Sequence, residues 1–115
     1  MNAAPPSGKI FVAPGVLVTV ARLAALSVPG VTGMSPVPGG VNRLFRLGAA
    51  QGVRLEMRGE EVTAELFLVI APDSEAREVA RRVQAEVGRA ISEIVGLPVG
   101  EVLVHIEDIA SSPAA

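Results

Sequence analysis

At 115 residues, with 50% hydrophobic and 19% charged side chains, the chain has the make-up of one folded domain around a single core, and wholesale disorder is excluded. A net charge of −2, three Phe and no Tyr or Trp argue against nucleic acid, which needs clustered cations for a duplex and flat aromatic platforms for single strands. Zero cysteines remove disulfides, thiolate chemistry and the usual kind of structural zinc.

Residues 1–8 and 110–115, rich in Ala, Pro and Ser, have the composition of tails and leave 9–109 as the single domain. Met1 to Ser7 lacks the cationic start and apolar run of a secretory signal. Lys9 to Val12 reads as a short strand. Pro14 then suits the first turn of a helix, where its missing amide hydrogen costs nothing. Leu17, Val20, Ala21, Leu23 and Ala24 recur at helical spacing, and Pro29-Gly30 should end the helix. The apolar segment Val16 to Val28 falls short of the roughly 20 residues that span a membrane. Its polar face is thin, so more than one side of the helix should be buried, and in so small a chain a second subunit is a natural source of that burial.

Residues 35–52 hold Pro36, Pro38, Gly39, Gly40, Gly48 and Gly52 and read as a loop. Within it Val41, Leu44 and Phe45 share one side of a short helical turn, with Arg43 and Arg46 on the other. No acidic residue offsets these cations. Next comes a hairpin: Val53 to Arg58 alternates strictly, Gly59-Glu60 suits a type II′ turn, and Glu61 to Ala71 returns. Its register sets Arg58 against Glu61 and Arg54 against Glu65 on one face, and Met57, Leu55 and Val53 against Val62, Ala64 and Leu66 on the other. A slip of one residue would bury the charges.

Asp73 or Ser74 can cap the following helix. Ala76, Val79, Ala80, Val83, Val87, Ala90, Ile91 and Ile94 form its apolar stripe, while Arg77, Arg81, Arg82, Glu86, Arg89 and Glu93 face water, and Gly96 ends it. The last strand turns Val102, Val104 and Ile106 to one side and Glu101, Leu103, His105 and Glu107 to the other. The order β-α-loop-β-β-α-β predicts an α+β two-layer sandwich of βαββαβ type, with two helices on one face of a mostly antiparallel sheet. The reverse face then presents Phe67, Val69 and Leu103 as an uncovered apolar patch, a common mark of a partner site.

With these elements placed, the chain resembles the alkaline shock protein family of Gram-positive and related bacteria, also called the envelope stress response family. The resemblance spans about residues 8–109. It rests on Gly8-Lys9-Ile10, on Ala24-Ala25-Leu26 followed by Val28-Pro29-Gly30-Val31 and Gly33-Met34, on Gly52-Val53-Arg54-Leu55-Glu56, and on Gly96-Leu97 leading to Glu101-Val102-Leu103-Val104-His105-Ile106. It implies a small non-enzymatic module that self-associates and is cytoplasmic or held at the membrane periphery by a separate anchoring protein. The chain departs from the commonest pattern at Pro14-Gly15 and in the 35–52 insertion.

No residue set in the chain reads as catalytic, and no cofactor or metal is expected. Glu56, Glu61 and Glu65 are explained by cross-strand pairing with arginine. His105 alone, beside scattered carboxylates, makes a poor metal ligand set. Pro38-Gly39-Gly40 lacks the lysine and hydroxyl of a phosphate loop. The residues expected to meet a protein partner are Phe67, Val69, Leu103 and His105 on the sheet and Arg43, Arg46 and Arg54 beside it. A homo-oligomer is expected, with no nucleic acid and with any membrane contact made through the partner. The competing reading is a regulatory or ligand-binding module linked to lipid metabolism.

Overall fold

The computed structural model describes residues 8, 11–38 and 46–111. Helical spacing after Pro14 yields α1 (Pro14–Leu26), with the proline in its first turn as the sequence predicts. Strands β1 (Val31–Met34), β2 (Arg46–Ala50), β3 (Val53–Arg58) and β4 (Glu61–Ile70) follow, then α2 (Ala76–Ala90) and β5 (Val99–Ile109). A π-helical turn, Ile91–Val95, prolongs α2 and closes on Gly96.

Alternation decides the centre of the sheet. β3 and β4 pair antiparallel, with Val53 opposite Leu66, Arg54 opposite Glu65, Leu55 opposite Ala64, Met57 opposite Val62 and Arg58 opposite Glu61, the register the charge and apolar patterns predict. Gly59, the first turn residue, has a φ of 64° as a type II′ turn requires. On its other edge β4 pairs in parallel with β5, reached through the α2 crossover. The sheet therefore runs β2-β3-β4-β5, and β1 adds to β4 beyond the end of β3, pairing with Leu68, Val69 and Ile70.

The two-layer α+β class follows from where the apolar side chains go. Leu17, Ala21 and Ala25 of α1 and Val83, Val87 and Ile91 of the α2 segment are buried against Val53, Leu55, Val62, Leu66, Leu68 and Ile70 of the sheet. One strand face supplies all of these sheet residues, so both helices lie on it.

Three local expectations change. Phe11 and Val12 are exposed and belong to no strand, while Lys9 and Ile10 lie outside the described residues. The strand that pairs with the far end of β4 is Val31–Met34 instead. Thr32-Gly33 carries no apolar alternation, and the strand is held by its ladder to β4 and by Thr32, whose hydroxyl donates to the Val69 and Ala110 carbonyls at 3.3 and 2.9 Å. Second, Arg46–Ala50, expected in a loop, is a strand paired with β3. Gln51 and Gly52, at φ 54° and 82°, make the tight turn between them, a type I′ pattern that the sequence signals only through Gly52. Third, the N-cap of α2 is Glu75, whose carboxylate accepts from the Arg77 amide at 3.3 Å. Ser74 donates its hydroxyl to Ala71 O instead, at 2.6 Å, closing the turn before the helix.

Candidate functional site

The sheet face turned away from the helices is built by the outward residues of β3, β4 and β5. At its centre the ladder sets Arg54 beside Glu65, Glu65 beside Leu103, and Phe67 beside His105. Glu65 divides its carboxylate between two neighbours. Arg54 donates from Nε and Nη2 to Oε1 at 2.8 and 2.5 Å, and His105 Nε2 lies 2.8 Å from Oε2. An ionised carboxylate only accepts, so Nε2 carries the proton in this contact. The His105 ring stacks on Phe67 with centroids 4.6 Å apart and planes 7° from parallel, and the Arg54 guanidinium lies 5.7 Å from the same ring.

Burial of Glu65 acts to raise its pKa. The hydrogen bonds from Arg54 and His105, with their charges, outweigh it and hold the carboxyl below the usual carboxylate range. A depressed folded pKa contributes stability that is complete above the unfolded value and is lost as pH falls through the folded one. Acid should therefore weaken the fold below the ordinary carboxylate range. Urea midpoints followed from about pH 6 to about pH 3 should fall less steeply for Glu65→Gln than for the parent chain, because the titrating group is gone.

The cluster corrects one expectation. Phe67, expected to be open to a partner, is 3% exposed, under His105 and Arg54. It is the floor of this face. Val69 and Leu103 are half-buried and His105 keeps 42% of its side-chain surface. Arg54 is committed to Glu65 and Phe67, so the expected arginine group is not a set of free cations. Arg46 opens β2 opposite Glu56 in the ladder, and Arg43 lies outside the described residues. Arg58, opposite Glu61 in register, turns instead to Glu56 at 3.4 Å and to Glu101 at 3.7 Å.

A second feature had no signal in the sequence. An open cleft of about 510 Å³ lies between Arg22 and Leu26 of α1, Gly33 and Met34 of β1, Ser35-Pro36, and the Gln51-Gly52 turn. Arg22, the one charged residue of α1, has its Nε buried without a hydrogen-bond partner among the described residues. Only the folded chain brings these distant segments together, and a lone arginine in an apolar helix does not reveal its surroundings. Among the described residues no group of three or more His, Cys, Asp or Glu side chains is placed to hold a metal ion. No helix among them is long and apolar enough to cross a membrane.

The fold and this face define a small α+β module with a charged, aromatic-floored sheet surface on the side the helices leave open. The chain belongs to the alkaline shock protein 23 family, described by its cell envelope-related function, whose model matches residues 3–111. It is 24% identical to YloU of Bacillus subtilis (strain 168) over 106 residues, covering 89% of this chain and 88% of that protein. It is 27% identical to YqhY of the same organism over 104 residues, covering 89% and 77%. Both relatives are uncharacterised proteins. Among solved structures the chain is similar to two variants of MamM-CTD. One gives a TM-score of 0.53 at 20% identity, covering 84% of this chain and 96% of that one. The other gives 0.52 at 21%, covering 82% and 95%. This likeness is one of fold.

Proposed function

We propose that the protein is a non-catalytic interaction module of the cell envelope-related type, which self-associates and docks on a membrane-linked or metabolic protein partner. The observation that carries this reading is the open sheet face. Its ionic groups are neutralised among themselves at Arg54, Glu65 and His105, and half-buried Val69 and Leu103 flank them. Paired charges over a rigid strand ladder give a partner shape and hydrogen-bonding groups without a free reactive group. The family's envelope-related description supports a partner at or near the membrane.

The test is capture of partners from cells at native abundance by the parent chain and by a Val69→Glu, Leu103→Glu double variant. Both positions lie on the open face, so the variant should fold. A partner held by the parent and lost by the variant is the expected result. Retention of every partner by the variant would move docking away from this face.

A second reading, a ligand-binding module linked to lipid metabolism, is favoured by the cleft beside Arg22, whose buried Nε has no hydrogen-bond partner among the described residues and suits an anionic group. A thermal-shift screen separates the two. A rise in Tm with an acyl or nucleotide ligand, lost in Arg22→Leu, would support ligand binding.

A further inference from the structure

The chain is divided by charge. All 12 Asp and Glu residues lie at or after Glu56, and every described residue lining the cleft beside α1 comes from the acid-free part before it. Leu26, Met34 and Pro36 give that cleft apolar walls, and Ser35 and Gln51 add a hydroxyl and an amide. Arg22 is the one charge among them. The ion pairs among the described residues engage Arg54, Arg58, Arg82 and Arg89, and Arg22 enters none of them. A half-buried guanidinium with a covered Nε that meets no acceptor stands at a free-energy cost, which an anion beside it offsets.

The walls are fixed by the sheet. The Ser35 amide donates to Phe67 O at 2.8 Å, and Gly52 O accepts from the Phe67 amide at 2.9 Å. Both the segment after β1 and the β2–β3 turn are thereby tied to β4. At about 510 Å³ the space falls within the range of small-molecule sites, about 300–1,000 Å³. Its chemistry narrows what it can hold. One guanidinium pairs with one carboxylate, whose planar fork it matches. The cleft lies along the C-terminal half of α1, which ends at Leu26, and the partial negative charge of that helix end disfavours a dianion or trianion. No aromatic ring is among the described lining residues, so a nucleobase finds no platform there.

We infer that the cleft beside Arg22 binds an aliphatic monocarboxylate, with its carboxylate on the guanidinium and its chain along Leu26, Met34 and Pro36. The inference rests on the ligand-binding reading above and narrows it to one chemical class. Met34, unbranched and flexible, lets the apolar wall adapt to the chain.

Decanoate, decanol and AMP are the probes, titrated into the full chain and followed through the backbone amide NMR shifts of Met34, Ser35, Gln51 and Gly52. Decanoate should move these amides saturably. Decanol, with the same chain and no charge, and AMP, a dianion, should each bind at least about tenfold more weakly. Arg22→Met should weaken decanoate at least about tenfold with circular dichroism unchanged, because the unbranched side chain keeps the packing of the arginine stem without its charge. Arg22→Lys retains a cation and should lose less. Decanol binding as tightly as decanoate, or decanoate binding undiminished in Arg22→Met, would overturn the inference. AMP held at the cleft in preference to decanoate would overturn it while leaving the ligand-binding reading standing. Silence of these amides to all three probes would remove both.

Discussion

Gly52→Ala should lower stability by about 2–4 kcal/mol, seen as a drop in the urea midpoint at fixed protein concentration with little change in slope. Two costs add. At φ 82° a side chain is strained whatever the surrounding space. A Cβ there would also sit 2.7 Å from Met34 Cβ and 2.8 Å from Ser35 O. One of those atoms is backbone, so no rotamer change relieves the contact. The position matters because Gly52 O accepts from the Phe67 amide at 2.9 Å, joining the β2–β3 turn to the strand that carries the cluster. Gln51→Gly, one residue earlier, should instead be neutral or slightly stabilising, since φ 54° suits glycine better than glutamine. Equal losses in the two variants would mean that the close approach at Gly52 does not exist.

Glu65→Ala should cost about 2–3 kcal/mol, far more than removing any ion pair on the outer side of α2. Glu65 keeps only 13% of its side-chain surface and Arg54 22%, so truncation leaves a largely covered guanidinium and the His105 ring without their acceptor. Arg82→Ala breaks an exposed pair one helical turn long and should cost under about 0.5 kcal/mol. The double variant Arg54→Leu, Glu65→Leu should recover part of the Glu65→Ala loss, because no charge is then left unpaired against Phe67. A measured cost for Glu65→Ala as small as that for Arg82→Ala would show the cluster to be a solvated surface pair. Together these variants show what holds the open face rigid.

Much of the fold was legible because it was written in short-range periodicity. Strict alternation from Val53 to Arg58, answered from Glu61 to Ile70, leaves one register that buries apolar residues and pairs charges, and that register forms. The stripe of α2 and the crowded apolar content of α1 set both helices by themselves, and the class of a two-layer α+β domain follows from them. The thin polar face of α1 was also legible in the sequence, and in the folded chain Val16 and Leu23 of that helix are exposed.

Other features needed the assembled chain. β1 and β2 are short, contain Gly33 and Gly48, and are strands because β4 and β3 offer them ladder partners, a tertiary cause that overrides weak local preference. The alternation of β4 and β5 put Phe67 and His105 on one face but not in contact. Parallel pairing brought their rings together, and this turned Phe67 from an expected contact residue into a buried floor. The cleft beside Arg22 joins residues from Arg22 to Gly52 that share no pattern along the chain. Periodicity records which side of an element avoids water. Which elements become neighbours depends on closing long stretches of chain, and that was decided only when the sheet assembled.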